Sequence, residues 1–252
     1  MRAILTYHSI DDSGSPISVS PRTFVSHVRY LASGAVEVTT LEKLARGQCG
    51  PTALAITFDD GFANFRDRAW PLLREARLPA TQFIVTGRVG TTNAWGEPAP
   101  GIPDLPLLGW EDLKALAAEG LELGAHSRTH PHLDRLDEAA VEAECAGAKA
   151  DIEAVTGVRP RTFAYPFGDV DSKVAAVVAR HFEIAVTTEL DVVGDQADPR
   201  LLPRLDAYYF QAPGRLESFG TPGFRRYLWL RSWARRVRAR LRGGLCGVRS
   251  RR

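Results

Sequence analysis

Residues 1–217 predict a parallel α/β domain, and three observations carry that expectation. Short apolar runs of strand length alternate with segments of helical periodicity, no repeat or low-complexity stretch interrupts the alternation, and polar clusters fall where several strands should end. With 252 residues, 44% hydrophobic and 25% charged, the chain is long enough to bury the core such a domain needs.

In chain order, Ala3–Tyr7 reads as a first strand, and Pro21-Arg22-Thr23-Phe24 opens a helix to Ala32 with proline in its first turn. Strands follow at Val36–Thr39 and Ala53–Phe58, then a helix over Asn64–Glu75 and a strand at Thr81–Val85. The helix Trp110–Glu119 stops at Gly120, and Leu121–Gly124 is the next strand. Glu138–Val155 is helical and stops at Gly157; Thr162–Tyr165 is a strand, Ser172–Arg180 a helix, and Ile184–Thr187 and Leu202–Ala207 are the last strands. Gly87–Gly109, rich in proline and glycine and carrying Trp95, is too long for a plain connector; it forms either a rim over a site or a surface excursion packed by its own side chains.

Four polar clusters fall at strand ends: His8, Asp59-Asp60-Gly61, His126 with His130, and Pro166-Phe167-Gly168. In barrels of alternating strands and helices, ligands and catalysis gather at that rim. Adjacent carboxylates repel and need partners once buried, and a divalent cation is one. Singly, each cluster has a structural reading: a turn or helix cap for Asp-Asp-Gly, a surface or core pair for the histidines, a strand-end residue for His8. His27 and His181 read as helix or loop-surface residues, His132 after Pro131 as a structural extension of the His126–His130 cluster, and Trp70 as core.

Charge is unevenly spread. The formal net charge is +2, yet residues 218–252 hold eleven arginines and no acidic residue, which leaves −9 on residues 1–217 (+2 less 11). Two segments are therefore expected, a domain over 1–217 and a basic amphipathic tail over 218–252. In the tail, Phe224, Tyr227, Leu230, Trp233, Val237 and Leu241 recur at helical spacing, which suits either an anionic membrane surface or docking on the acidic domain. No nucleic-acid-binding module is recognisable, so nucleic acid is not an expected partner. Cys49, Cys145 and Cys246 are odd in number and lack Cys-x-x-Cys spacing, which favours a reducing compartment. The N-terminus turns polar after a few apolar residues, so a cytoplasmic protein without signal peptide or transmembrane segment is expected, peripheral to the inner membrane face if the tail binds there.

Residues 1–210 resemble the polysaccharide deacetylases with the NodB homology domain, carbohydrate esterase family 4. Thr57-Phe58-Asp59-Asp60-Gly61 is similar to the first motif of that family, His126-Ser127-Arg128-Thr129-His130 to the second, and Phe163-Ala164-Tyr165-Pro166-Phe167-Gly168 to the third. Two features depart from the common pattern: Ala164 stands where the third motif usually has arginine, and no Leu-x-x-His motif occurs late in the domain. Leu5-Thr6-Tyr7-His8-Ser9 resembles the subgroup that includes poly-β-1,6-N-acetylglucosamine deacetylases, in which the catalytic histidine lies at the N-terminus.

The resemblance implies a single-domain, distorted (β/α)7-type barrel and a metal-dependent hydrolase that removes N-acetyl groups from an amino sugar in a polysaccharide, oligosaccharide or glycolipid precursor. It assigns Asp60, His126 and His130 to a divalent metal, with Zn2+ foremost and Co2+, Ni2+ or Mn2+ as alternatives, Asp59 to the general base and His8 to the general acid. Chemistry agrees, since an amide needs a base for the water proton and an acid for the departing nitrogen. The turn Tyr165-Pro166-Phe167 is placed to offer the Phe167 N–H to an oxyanion, Pro166 having none, and Tyr165 and Phe167 to meet substrate. With the usual arginine missing, Arg204 is expected to pair with Asp59 or a neighbour, a surface ion pair being the alternative. Other readings on the same fold are a deacylase of another amide or an O-acetyl ester, and a non-catalytic glycan-binding protein.

Overall fold

The computed structural model describes residues 1–96 and 100–246, without side chains at 236 or 238–246. The chain enters on β1 (Arg2–Tyr7), passes through two-residue strands β2 (Ser9–Ile10) and β3 (Ser18–Val19), which pair with each other, and begins α1 (Pro21–Ala32). Ser20 caps α1 by accepting from the Thr23 N–H, and Pro21 brings a preset φ where no helical hydrogen bond is lost. β4 (Glu37–Val38) and the short α2 (Leu41–Ala45) lead to β5 (Ala53–Phe58), every residue of which is buried.

The helix expected as one piece over 64–75 is divided. Phe65–Ala69 winds as a π turn before α3 (Trp70–Glu75), because Pro71 has no N–H for the preceding turn and the Trp70 N–H reaches back to Phe65 O instead. Next come β6 (Thr81–Ile84), α4 (Trp110–Ala118), β7 (Glu122–Ala125), α5 (Glu138–Thr156), β8 (Thr162–Ala164) and α6 (Ser172–His181). β9 (Ile184–Leu190), β10 (Leu202–Asp206) and α7 (Pro222–Cys246) complete the described chain.

Seven parallel strands close the barrel in the order β1, β10, β9, β8, β7, β6, β5 and back to β1, with Leu5 set against Leu205 on one side and Ile56 on the other. β5 has two partners along its other edge: β4 at Ala53 and Leu54, β6 at Thr57 and Phe58. The wall is thus split at its lower end and plugged by β4, which is the distortion of the barrel. Alternation along the strands divides the core. Ile4, Ala55, Phe83, Ala164 and Val186 belong to a smaller inner cluster, while Leu5, Tyr7, Ile56 and Phe58 join the larger one beneath the helices.

Two expectations need correction here. His27 is not a surface residue: it shares the buried stripe of α1 with Phe24, Val28 and Leu31, accepts from the Tyr7 hydroxyl at 2.9 Å and donates to Phe210 O at 3.2 Å. The apolar stripe of α7 splits. Phe224 and Leu228 are buried and Tyr227 packs on Phe210, whereas Leu230 and Trp233 are exposed beside Trp229. A helix turning 100° per residue that buries 224 and 228 carries 230 and 233 to its far side. The Leu241 side chain lies outside the described residues.

Candidate active site

All seven strands point the same way, so their C-terminal ends form one rim, and strand parity decides which side chains look inward there. Counting from inner-cluster residues Ile4, Ala55 and Leu202 in steps of two reaches Thr6 and His8, Thr57 and Asp59, and Arg204 and Asp206. Register sets Thr6 against both Thr57 and Asp206. Three strands thereby deliver a carboxylate, an imidazole and a guanidinium to one rim.

Arg204, 2% exposed, grips Asp59 with two parallel bonds, Nη1 to Oδ1 and Nη2 to Oδ2, each 2.7 Å. Its own position is fixed by Nε donating to Thr187 O at 2.8 Å and Nη1 donating to Thr6 Oγ1 at 2.9 Å. Burial alone would raise the Asp59 carboxyl; the Arg204 charge and hydrogen bonds outweigh it and hold the group well below the usual carboxylate range. Asp59 is thus an oriented, ionised carboxylate. His8 Nε2 stands 3.7 Å from Asp59 Oδ2 with its side chain 24% exposed. Asp206, next to His8 at the rim, has its carboxyl raised by burial, against the opposing pull of His8.

Asp60, His126 and His130 bring one ligand atom each within 4.8 Å of one another, all three residues buried. Asp60 Oδ1 lies 3.4 Å from His126 Nε2 and 3.6 Å from His130 Nε2, long for hydrogen bonds, and among the described residues it has no hydrogen-bond partner. Ligands on a tetrahedral ion with bonds of about 2.1 Å lie about 3.4 Å apart, so the donor spacing and the orphaned oxygen both fit a cation such as Zn2+. His126 Nδ1 donates to Ala164 O at 2.8 Å, which leaves Nε2 as the lone-pair nitrogen facing Asp60. Burial pushes His130 down to about 3, which keeps its imidazole neutral.

Backbone strain marks the same place. Among the described residues five non-glycine positions have positive φ: Asp60 (72°), Ser127 (61°), His130 (61°) and Phe167 (59°) are here, and Arg77 is elsewhere. The second motif is held in this shape by Ser127 Oγ accepting from the His130 N–H at 3.0 Å and by Glu144 Oε2 accepting from the N–H groups of Arg128 and Thr129. At the third motif, Phe167 presents a ring that is 46% exposed, stacked on His132 at 4.1 Å and edge-on to His130 at 4.5 Å. His132 is fixed in turn by Asp169, 2.5 Å from its Nδ1.

Trp95 from the proline-rich stretch packs on His130 at 4.5 Å, so that stretch does border the cluster; residues 97–99 lie outside the description. It is tied to the first motif by the Leu108 N–H donating to Gly61 O at 2.8 Å. Tyr165 is the expected site residue whose ring does not reach the rim. It is fully buried and donates its hydroxyl to Arg200 O at 3.0 Å, so only its backbone contributes to the turn. Sequence reasoning missed the His132–Asp169 pair as a support for Phe167, and no local signal links residues 37 apart. Trp95 had one signal, an aromatic in a long non-regular segment. Ala164 is buried within the barrel, and the guanidinium on Asp59 comes from β10 rather than from the third motif.

The geometry agrees with what comparison reveals. The family model for polysaccharide deacetylase matches residues 46–182. A gellan lyase from Bacillus sp. shares 31% identity over 125 residues, 49% of this chain but only 4% of that protein's length. The poly-β-1,6-N-acetyl-D-glucosamine N-deacetylase of Staphylococcus aureus (strain MRSA252) shares 24% identity over 202 residues, 75% of this chain and 67% of that protein. The fold is similar to that of the Streptococcus pyogenes deacetylase PplD, solved in complex with acetate, with a TM-score of 0.71 at 20% identity over 81% of this chain and 91% of that one. With over half its length matched by that model and its three motifs meeting on one rim, the chain belongs to the polysaccharide deacetylase family.

Proposed function

We propose that this protein is a metal-dependent hydrolase that removes N-acetyl groups from an N-acetylated amino sugar in a polysaccharide, oligosaccharide or glycolipid precursor. The observation that carries the reading is the adjacency of two differently equipped carboxylates: Asp59 clamped by Arg204, and Asp60 turned toward His126 and His130. Asp60, His126 and His130 would hold the cation, which when bound polarises the scissile carbonyl and acidifies water. Asp59, kept ionised and aimed by Arg204, takes the proton from the attacking water. His8, partly exposed across from Asp59, gives a proton to the departing sugar nitrogen, without which an amine anion would have to leave. The Phe167 N–H, set by a left-handed turn, is offered to the oxyanion. Trp95 and Phe167 flank His130 as walls for a sugar ring.

On this reading the enzyme works in a reducing compartment on a lipid-linked or nucleotide-linked sugar at the inner membrane face; the free thiols of Cys49 and Cys145 accord with that setting. Among the described residues no helix is long and apolar enough to cross a membrane. The test is acetate release from N-acetylglucosamine oligomers by the wild type and by Asp59→Asn and His8→Ala, with and without added Zn2+. Loss of turnover in both variants with retained folding is expected, and undiminished turnover in either removes that residue from the mechanism.

A further inference from the structure

We propose that the solvent-facing side of α7 is a docking surface for a lipid bilayer containing anionic lipid. The helix is two-sided in an unusual sense. One side is committed to the domain: Phe224 is 0% and Leu228 4% exposed, Ser232 donates to Leu190 O, and Arg231 and Arg235 lie over the Tyr209 ring at 5.5 and 5.7 Å. The opposite side presents Leu230 at 46% and Trp233 at 54% exposure, and Trp229, 60% exposed, stands on the flank between them and a groove it lines with Met1, Arg2 and Pro51. Large apolar side chains seldom stand together in water on an already anchored helix without a covering partner.

The chemistry around them selects the partner. Arg225 and Arg226 are exposed on the turn before Trp229. Of the described arginines of α7, Arg225, Arg226, Arg231 and Arg235, none is in a salt bridge, although the domain carries nine net negative charges by the count above. Tryptophan settles at the headgroup level of a membrane, arginine reaches from the same depth to lipid phosphates, and a cluster of basic residues is drawn to an anionic leaflet. A protein partner of acidic character would satisfy the arginines but not bury two indoles held 54–60% open on a convex helix face. The acidic domain is repelled by the surface that attracts α7, so binding also sets an orientation.

That orientation concerns the catalytic rim. The helix starts beside the strand beginnings, where Gly220 approaches Thr52, and reaches Tyr209 and Asp206 at the strand ends by Arg235. It continues to Cys246, about 16 Å further at 1.5 Å per residue. A membrane held along this helix would lie beside the rim that carries His8. The binding claim itself does not depend on the catalytic reading.

The experiment is co-sedimentation of the full chain with vesicles of phosphatidylcholine alone and of phosphatidylcholine mixed equally with phosphatidylglycerol, with tryptophan emission recorded in parallel. Expected are partitioning into the anionic vesicles about tenfold or more above the neutral ones, a blue shift on binding, and weakening by salt. Trp229→Ser/Trp233→Ser and Arg225→Glu/Arg226→Glu should each lower partitioning about tenfold while Tm and acetate release from a soluble oligomer stay at wild-type values. Equal partitioning of wild type and both variants overturns the proposal. So does a concentration-dependent dimer in sedimentation velocity that Trp229→Ser/Trp233→Ser abolishes, since a second copy would then be what covers the face.

Discussion

Replacing Arg204 by alanine isolates the contact on which the reading of Asp59 rests. Guanidinium and carboxylate are each 2% exposed and meet through two bonds of 2.7 Å. Unit charges about 4 Å apart at an effective permittivity of about 20 attract by about 4 kcal/mol, roughly a thousandfold in the ionisation constant of the acid. Removing one partner strands the other charge indoors, and breaking a buried pair in this way costs about 3–5 kcal/mol. For a chain of this size the loss lowers Tm by about 6–20 °C. The sign with pH follows from the direction of the Asp59 shift. Its folded carboxyl is depressed, so the wild type gains stability above the ordinary carboxylate range and loses it only as pH falls through the folded value. Without Arg204, burial dominates and the carboxyl moves up, so the variant is penalised where the unfolded chain would ionise. The Tm gap should therefore widen between about pH 4 and about pH 7. Scanning calorimetry of wild type, Arg204→Ala and Arg204→Ala/Asp59→Asn measures it, and the double variant should recover part of the loss at the higher pH. An equal Tm for wild type and Arg204→Ala, or a gap indifferent both to pH and to Asp59→Asn, would refute the argument.

Asp60→Ala should abolish stoichiometric metal content; a chelator should lower wild-type stability by about 2.7 kcal/mol when metal had stood at about 100 times its Kd, and leave the variant's melting curve where it was. Gly168→Ala, at φ +79° with a new Cβ 2.0 Å from Thr188 Oγ1, should destabilise by about 2–4 kcal/mol in urea titration, against about 1 kcal/mol for Gly90→Ala, whose Cβ meets nothing within 4 Å. His132→Ala removes the stack beneath Phe167 and should reduce kcat up to about tenfold with KM little changed; an unaltered kcat would mean that the Phe167 turn holds its shape unaided.

Much of this could be read from residue order because each feature depends on few neighbours. Ala53–Phe58 is a buried strand whichever strands flank it, and ending such a strand in two aspartates places both at the rim. His126 and His130 were legible for the same reason, lying just past β7. What escaped depends on contacts far along the chain. The Arg204–Asp59 pair was expected from the arginine that the third motif lacks, but its geometry rests on β1 joining β5 to β10 and on a register shift in β9–β10 between Leu202 and Arg204 that no local pattern announces. His27 was misread although it lies on the α1 stripe, because polarity was weighed above spacing; its two buried hydrogen bonds make that position tolerable. The tail shows the converse error. Spacing alone gathered Leu230 and Trp233 with Phe224, and only packing against Phe210 and Phe219 reveals which side of the helix is covered.

Four left-handed side-chain-bearing residues at one rim have a practical consequence for anyone wishing to toughen this protein. Each such conformation costs about 1–3 kcal/mol, and glycine would relax it. Yet Asp60, His130 and Phe167 are the groups the proposed chemistry needs. Heat resistance gained by relieving those torsions would be gained at the expense of turnover, so durability is better sought at Arg77, the fifth such residue, which lies away from the reaction.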